Sequence, residues 1–460
     1  MICNGPYAPG ACRGLFFILQ KRTAWLKSSV PVFAAALFLF GTVFGLASCR
    51  NDKDRAEAPL RFAVIADPHL YDARLGTTGP DFHAHTGQEV KMFAQSETVF
   101  KEAIRLITEM DPQPEFLLIP GDLTKDGAEE SHRKMAAYLE EIQSLGVSVL
   151  VVPGNHDIAN PDAATYGTFG SAQVYSPGPE EFSEIYAPFG YDRAISRDAY
   201  SLSYVAEPTP DVWLFAIDAC RYADNTDNAH VVGGRLAPET KKWLIENLEK
   251  ARINDKSVIA MMHHGIVEHL LGQGEFLPNF LIENWDTIGH ELASAGMSVI
   301  FTGHYHTQNI TRRQWEDGTA MVEIQTGSLL NYPVPMRIVD FDVRRGEMDV
   351  TSLFVTDLPS GTYPDRFCCF EAFAYDFTYD GVSSQMLQEL TARYDFSPEQ
   401  LELFAPMLTK ATMAHFAGDE QPTWREFSDA LKMAESAADD ISEVGLVLLS
   451  LYNDLPPSDN

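Results

Sequence analysis

Five short motifs in this 460-residue sequence carry side chains suited to holding metal ions: Asp67-Pro68-His69, Gly121-Asp122, Gly154-Asn155-His156-Asp157, His263-His264 and Gly303-His304-Tyr305-His306. Imidazole and carboxylate together favour Zn, Mn or Fe over Ca or Mg. A carboxylate offers two oxygens and about four lone-pair sites, so one aspartate can serve two ions. Two ions held ~3.5–4 Å apart form a clamp for in-line phosphoryl displacement. None of the six cysteines lies in these motifs, which speaks against a structural zinc site. Each motif alone is a weak signal, because a lone buried histidine is usually a packing residue. Their force lies in order and placement.

Each motif follows a predicted strand: RFAVIA, FLLIP, VSVLVVP, SVIAMM or SVIFTG. VWLFAID is a sixth such run. These runs are rich in β-branched and aromatic residues and apolar throughout, as strands covered on both faces are. Helical patterns lie between them at Ser96–Met110, Ala128–Leu145, Pro238–Ala251 and Asn284–Ala295, with Pro238 placed for a first turn. The plan is layered α/β. Ligands at the carboxyl ends of neighbouring strands converge in the crevice of such a fold. Gly121, Gly154 and Gly303 stand where the chain turns sharply and where a side chain would block approach. MVEIQT, MRIVDFDV and MDVTSLFV read as strands of a second sheet, with a hairpin at Arg345-Gly346. From about Leu358 the texture becomes helix-rich and offers no cluster of potential ligands; His415 reads as a packed or surface histidine.

The five blocks resemble those of the calcineurin-like metallophosphoesterase superfamily over about Arg61 to Val355. The Asp67-Pro68-His69 opening, the His263-His264-Gly265 block and GRLAPETKKWLIENL bring the chain nearest the cyclic-nucleotide phosphodiesterase branch, although that family often has His-His-Pro where this chain has His263-His264-Gly265. The resemblance implies an α/β four-layer sandwich of two mixed β-sheets flanked by helices, here with a helical C-terminal module. It implies that Asp67, His69 and His306 hold one divalent ion, that Asn155, His263 and His304 hold a second, and that Asp122 bridges them. It places His156 beside the substrate with Asp157 positioning it, and His264 as a neighbour near the substrate. The expected reaction is phosphate-ester hydrolysis, of phosphodiesters or phosphomonoesters and including cyclic nucleotides, by water activated at the metals.

Two further segments are candidates for shaping the pocket. Residues 71–95, directly after the first motif, form a long loop suited to a lid. Its His83 and His85 read as part of a polar loop rather than as a third metal site. Residues 219–234 carry Arg221 and His230, and Arg221 either meets a phosphate or stays solvated.

The N-terminus reads as a targeting segment. Lys21, Arg22 and Lys27 precede the apolar run Val30–Leu46, which ends in Leu46-Ala47-Ser48-Cys49 and a polar stretch. This resembles a bacterial lipobox, with Cys49 as the lipidated residue. The expected organisation is a signal peptide over 1–48, a tether over 49–59, a metallophosphoesterase domain over 60–358 and the helical module over 359–460. A lipid-anchored protein of the cell envelope, outside the cytoplasm, follows. The partners expected are a small phosphorylated substrate and the membrane. A formal charge of −31 opposes general nucleic-acid binding. The competing readings are a non-catalytic lipoprotein that binds a phosphorylated ligand, an envelope nuclease, and a structural protein docked through its C-terminal helices.

Overall fold

The computed structural model describes residues 58–453 and 455, with 88 and 437 excepted. The proposed signal peptide, Cys49 and most of the tether lie outside the described residues.

In chain order the strands are β1 (Leu60–Val64), β2 (Phe116–Pro120), β3 (Ser148–Val152), β4 (Ala164–Gly167), β5 (Gly170–Gln173), β6 (Ala194–Arg197) and β7 (Tyr204–Thr209). They continue with β8 (Val212–Ile217), β9 (Ser257–Met262), β10 (Val299–Thr302), β11 (Asn309–Gln314), β12 (Ala320–Gln325), β13 (Pro335–Asp342) and β14 (Glu347–Phe354). One sheet has the order β14-β13-β1-β2-β3, a second the order β11-β12-β10-β9-β8-β7-β6, and β4-β5 form a small hairpin. Both large sheets are mixed. β1, β2 and β3 run parallel, as do β8, β9 and β10, while β13 pairs antiparallel to β1.

The two-residue period of the strands builds the layers. In β8, Leu214 and Ala216 face the core between the sheets, while Phe215 and Ile217 face a second core. β9 repeats this with Ile259 and Met261 against Ala260 and Met262. Phe62 of β1 meets Phe301 of β10 edge to face at 5.4 Å across the central layer. Helices Ser96–Thr108 and Glu129–Ser144 add Phe100, Ile104, Met135 and Leu139 to the first core, and helices Pro238–Ile253 and Trp285–Ser294 cover the second with Leu244, Leu248, Ile288 and Leu292. The result is the expected four-layer sandwich.

One grouping differs from the sequence reading. The three late strands do not share a sheet: β12 pairs with β10, whereas β13 and β14 extend the sheet of β1. The hairpin at Gly346, φ +67, joins β13 to β14 as expected. The reading of residues 71–95 as loop also missed a short helix, Pro80–Thr86, packed through Phe82 on Tyr166.

Four C-terminal helices follow: Phe370–Arg393, Pro398–Ala417, Trp424–Ala434 and Asp439–Leu451. Ser397 with Gln400 and Thr423 with Glu426 form capping boxes that start the second and third. Phe370 and Ala374 join the central core, while Leu390, Leu408, Val444 and Leu448 pack on Leu270. A Cβ at Gly381 would stand 2.5 Å from the Glu89 carbonyl, so glycine there lets the first helix lie against the end of the 71–95 segment. Among the described residues, no helix is long and apolar enough to cross a membrane.

Candidate metal centre

The carboxyl ends of β1, β2, β3, β9 and β10 point to one place, and the chain leaving them is bent unusually. Asp67 (φ 48), His69 (φ 39), Asp122 (φ 46), His304 (φ 69) and His306 (φ 61) all occupy the left-handed region, which costs a non-glycine residue roughly 1–3 kcal/mol. Such strain persists where surrounding contacts enforce it. A Cβ at Gly154 would stand 2.1 Å from Asp122 Oδ1, and one at Gly303 would stand 2.3 Å from Asp67 Oδ2. Those two glycines leave room for the carboxylates.

The donors form two groups, Asp67–His69–Asp122–His306 and Asp122–His263–His304; within each, one donor atom per residue lies within 4.8 Å of the others. In the first, His69 Nε2 is 3.4 Å from His306 Nε2, His306 Nε2 is 3.3 Å from Asp67 Oδ1, and His69 Nε2 is 3.6 Å from Asp122 Oδ2. In the second, His263 Nε2 is 3.3 Å from Asp122 Oδ2 and 2.9 Å from Asn155 Oδ1. Asp122 thus belongs to both groups and Asn155 adjoins the second. The outer nitrogens are tied to backbone carbonyls: His263 Nδ1 to Pro120 O at 3.0 Å, and His304 Nε2 to Asn279 O at 3.0 Å. A hydrogen bond on the far nitrogen fixes the near one as a lone-pair donor, the arrangement metal-binding histidines use. Asp67 is held by the His304 N–H at 3.0 Å from both its oxygens, and Asp122 Oδ1 by the His156 N–H at 2.9 Å.

The field favours positive charge at this point. Burial opposes ionisation of Asp122, yet His263, His156 and His69 hold its carboxyl well below the usual range. Burial likewise opposes protonation of His263, but Asp122 and Asp67 raise it to about 9. His304 and His69 go the other way, lowered chiefly by burial.

His156 departs from expectation in its partner. Its Nδ1 meets Asp126 Oδ1 at 3.0 Å, and Asp126 also pairs with the buried Lys125, which lies over the rings of Tyr71, Phe93 and Tyr166. Burial lowers the proton affinity of His156, but Asp122 and Asp126 outweigh it and leave it raised. Asp157 does not reach His156. Its carboxylate accepts from the backbone N–H groups of Gly154 (2.8 Å), Leu123 (3.0 Å) and Thr124 (2.9 Å) and from the Thr124 hydroxyl (3.0 Å). Burial and the nearby Asp122 charge push the Asp157 carboxyl up to about 7. Its work is to tie the loop carrying Asp122 to the loop carrying Asn155.

The family model for calcineurin-like phosphoesterases matches residues 60–308, more than half of the chain. The chain belongs to that family. The family is one of metal-dependent phosphoesterases, and the two donor groups could each hold a metal ion. Among curated proteins, a 3',5'-cyclic-nucleotide phosphodiesterase of Nostoc sp. is 30% identical over 101 residues, covering 22% of this chain and 32% of that relative. The match therefore spans about a third of the relative's length. Among solved structures, a dimetal phosphatase from Danio rerio is 13% identical, with a TM-score of 0.42 over 64% of this chain and 96% of that one. A purple acid phosphatase from yellow lupin seeds is 13% identical, with a TM-score of 0.37 over 64% and 53% of the two chains.

A cavity of about 730 Å³ opens on the donor groups and is lined by Asp122, Asn155, His156, His304 and His306. Lys91, the only lysine of the 71–95 segment, also lines it, with its amine 3.5 Å from Glu89. The sequence reading did not single out Lys91 or Asp126. The structure does not bring Arg221 to this cavity: its guanidinium pairs with Asp224 and Glu283, at 2.9 Å and 3.0 Å. His230 of the same segment lies beside His156, its ring 4.7 Å from that of His156 and its Nδ1 2.8 Å from Asp162. His264 is buried behind the site, bonded through Nε2 to Val232 O at 2.8 Å, and lowered to about 3 chiefly by burial. His85 packs between Phe93 and Tyr166, and among the described residues neither it nor His83 joins a metal-capable group.

Proposed function

We propose that this chain hydrolyses phosphate esters with two divalent transition-metal ions, one held by Asp67, His69 and His306 and the other by Asn155, His263 and His304, with Asp122 shared between them. The observation that carries the reading is the pair of donor groups meeting at Asp122. A nitrogen and oxygen donor set without thiolate suits Mn, Fe or Zn. When bound, such ions supply Lewis acidity toward phosphoryl oxygens and make water a competent nucleophile near neutral pH.

The chain's own residues supply the rest. Asp157 and the glycine approaches hold Asp122 and Asn155 in register. Lys91 places an ammonium where phosphoryl charge would lie, which preorganised cations stabilise. His156, oriented through Nδ1 by Asp126, offers Nε2 to the leaving oxygen, where a proton donor is typically worth ~10²–10⁴-fold. The name of the Nostoc relative supports phosphodiesters as substrates, cyclic nucleotides among them.

The test is turnover by metal-free protein reconstituted with Mn, Fe or Zn, on p-nitrophenyl phosphate, bis-p-nitrophenyl phosphate and cyclic nucleotides. Hydrolysis that depends on added metal supports the reading. Full activity in metal-free protein overturns it. We further propose that the chain is anchored outside the cytoplasm through a lipid on Cys49; the lipobox-like sequence supports this. The mass of the mature N-terminus decides it, and an unmodified chain starting elsewhere than Cys49 refutes it.

A further inference from the structure

The wall of the cavity changes character along its length. At one end stand Lys91, His156 and the shared Asp122. The rest of the lining is largely apolar, with aromatic rings such as Phe280 and Tyr305 and an aliphatic wall that includes Leu270, Leu390, Leu408 and Val444. Of that aliphatic wall, Leu390, Leu408 and Val444 lie beyond residue 308, on the C-terminal helices, outside the stretch matched by the family. This part of the cavity is therefore built by residues outside the stretch that the family model matches.

That wall offers a ligand little to hydrogen-bond. Of the four hydroxyls in the lining, Ser450 already donates to Leu271 O at 2.7 Å and Tyr394 meets Glu443, which leaves Tyr305 and Thr412. The amides and charges of Gln385, Gln388, Glu389 and Arg393 all come from one helix, Phe370–Arg393. A sugar or nucleobase laid along the aliphatic stretch would lose its bonds to water without replacement, which is costly. A methylene chain would lose nothing and would exchange water for apolar contact. The cavity is of a size that encloses most of a small organic ligand.

We infer that the substrate is a phosphate ester bearing a long aliphatic chain, its phosphoryl group at Asp122 and its chain along the wall of the C-terminal helices. The inference rests on the phosphoesterase reading for the position of the phosphate. It assigns the C-terminal helices to substrate selection.

Two measurements on the full metal-loaded chain test it. The first is kcat/KM for p-nitrophenyl methyl, butyl and octyl phosphodiesters, with a cyclic nucleotide for comparison. The second is calorimetric binding of methyl, butyl and octyl phosphate below their micelle thresholds, which needs no turnover. Both quantities rise roughly two- to fourfold per methylene until the chain fills the cavity. Val447→Asn, at a half-buried wall position that tolerates a polar side chain, flattens both series. Octyl phosphate binding no tighter than methyl phosphate overturns the inference, as does a cyclic nucleotide with a higher kcat/KM than the octyl ester. Chain-length-dependent binding with no hydrolysis of any ester refutes the hydrolase reading and leaves the cavity assignment standing.

Discussion

Replacing Gly154 with alanine isolates the geometry of the shared carboxylate. Gly154 is not among the residues with positive φ, so alanine brings no backbone strain of its own. Its Cβ would stand 2.1 Å from Asp122 Oδ1, 2.2 Å from the Asp122 backbone nitrogen and 2.7 Å from Cγ. Both the carboxylate and its backbone are in the way, so no side-chain rotation relieves the contact. Asp122 or the Gly154 loop must move by about 1 Å, a displacement that costs on the order of 10²-fold when it misplaces a reacting geometry. The same movement breaks the 2.9 Å bond from the His156 N–H to Asp122 Oδ1. The assay is kcat with bis-p-nitrophenyl phosphate, alongside metal content by plasma mass spectrometry and thermal unfolding. Gly154→Ala should lose rate and metal together, because Asp122 serves both groups. Gly178→Ala, where an added Cβ meets nothing within 4 Å, should keep its metals. Wild-type rate and metal content in Gly154→Ala would refute the reasoning.

Asp126→Asn removes the charge that orients His156. Activity should fall by roughly 10–10²-fold on alkyl esters and less on p-nitrophenyl esters, with metal content retained; equal losses on both would remove His156 as proton donor. Asp157→Ala strands three buried backbone N–H groups and should destabilise the fold by roughly 3 kcal/mol or more in denaturant titration, and a change under about 1 kcal/mol would contradict its bracing role. His132 is fully buried against Tyr186 and the Asp157 carbonyl, and burial lowers it from 6.5 to about 4. The folded state thus binds its proton less readily than the unfolded chain, so its contribution is complete above pH ~6.5 and is lost as pH falls through ~4, a change of roughly 3 kcal/mol. His132→Asn should flatten the pH dependence of stability in that window, and an unchanged slope would exclude His132 as its source.

The donor groups were legible in the sequence because each ligand sits within a few residues of a strand end, and strand ends show as apolar runs. FLLIP and SVIAMM coincide with β2 and β9. What spacing could not show is what depends on side chains meeting across elements. Asp126, Lys91 and His230 come from three separate loops, and nothing local marks them as neighbours of His156. Asp157 misled through adjacency: it follows His156 in sequence, yet its carboxylate turns inward to the N–H groups of Leu123, Thr124 and Gly154. Arg221 offered the right charge on the right loop, but two nearby carboxylates claim it. The division of β12, β13 and β14 between two sheets was hidden because alternation reveals a strand without naming its partner. The left-handed backbone at five of the donor residues has no glycine to announce it.

The central claim is that two metal ions share Asp122. Anomalous diffraction from crystals of the full chain grown with Mn or Zn tests it most directly. The account predicts two anomalous peaks flanking the Asp122 carboxylate, one beside Asp67, His69 and His306 and one beside Asn155, His263 and His304, both lost or weakened in Asp122→Asn. A single peak, or peaks away from Asp122, would contradict it.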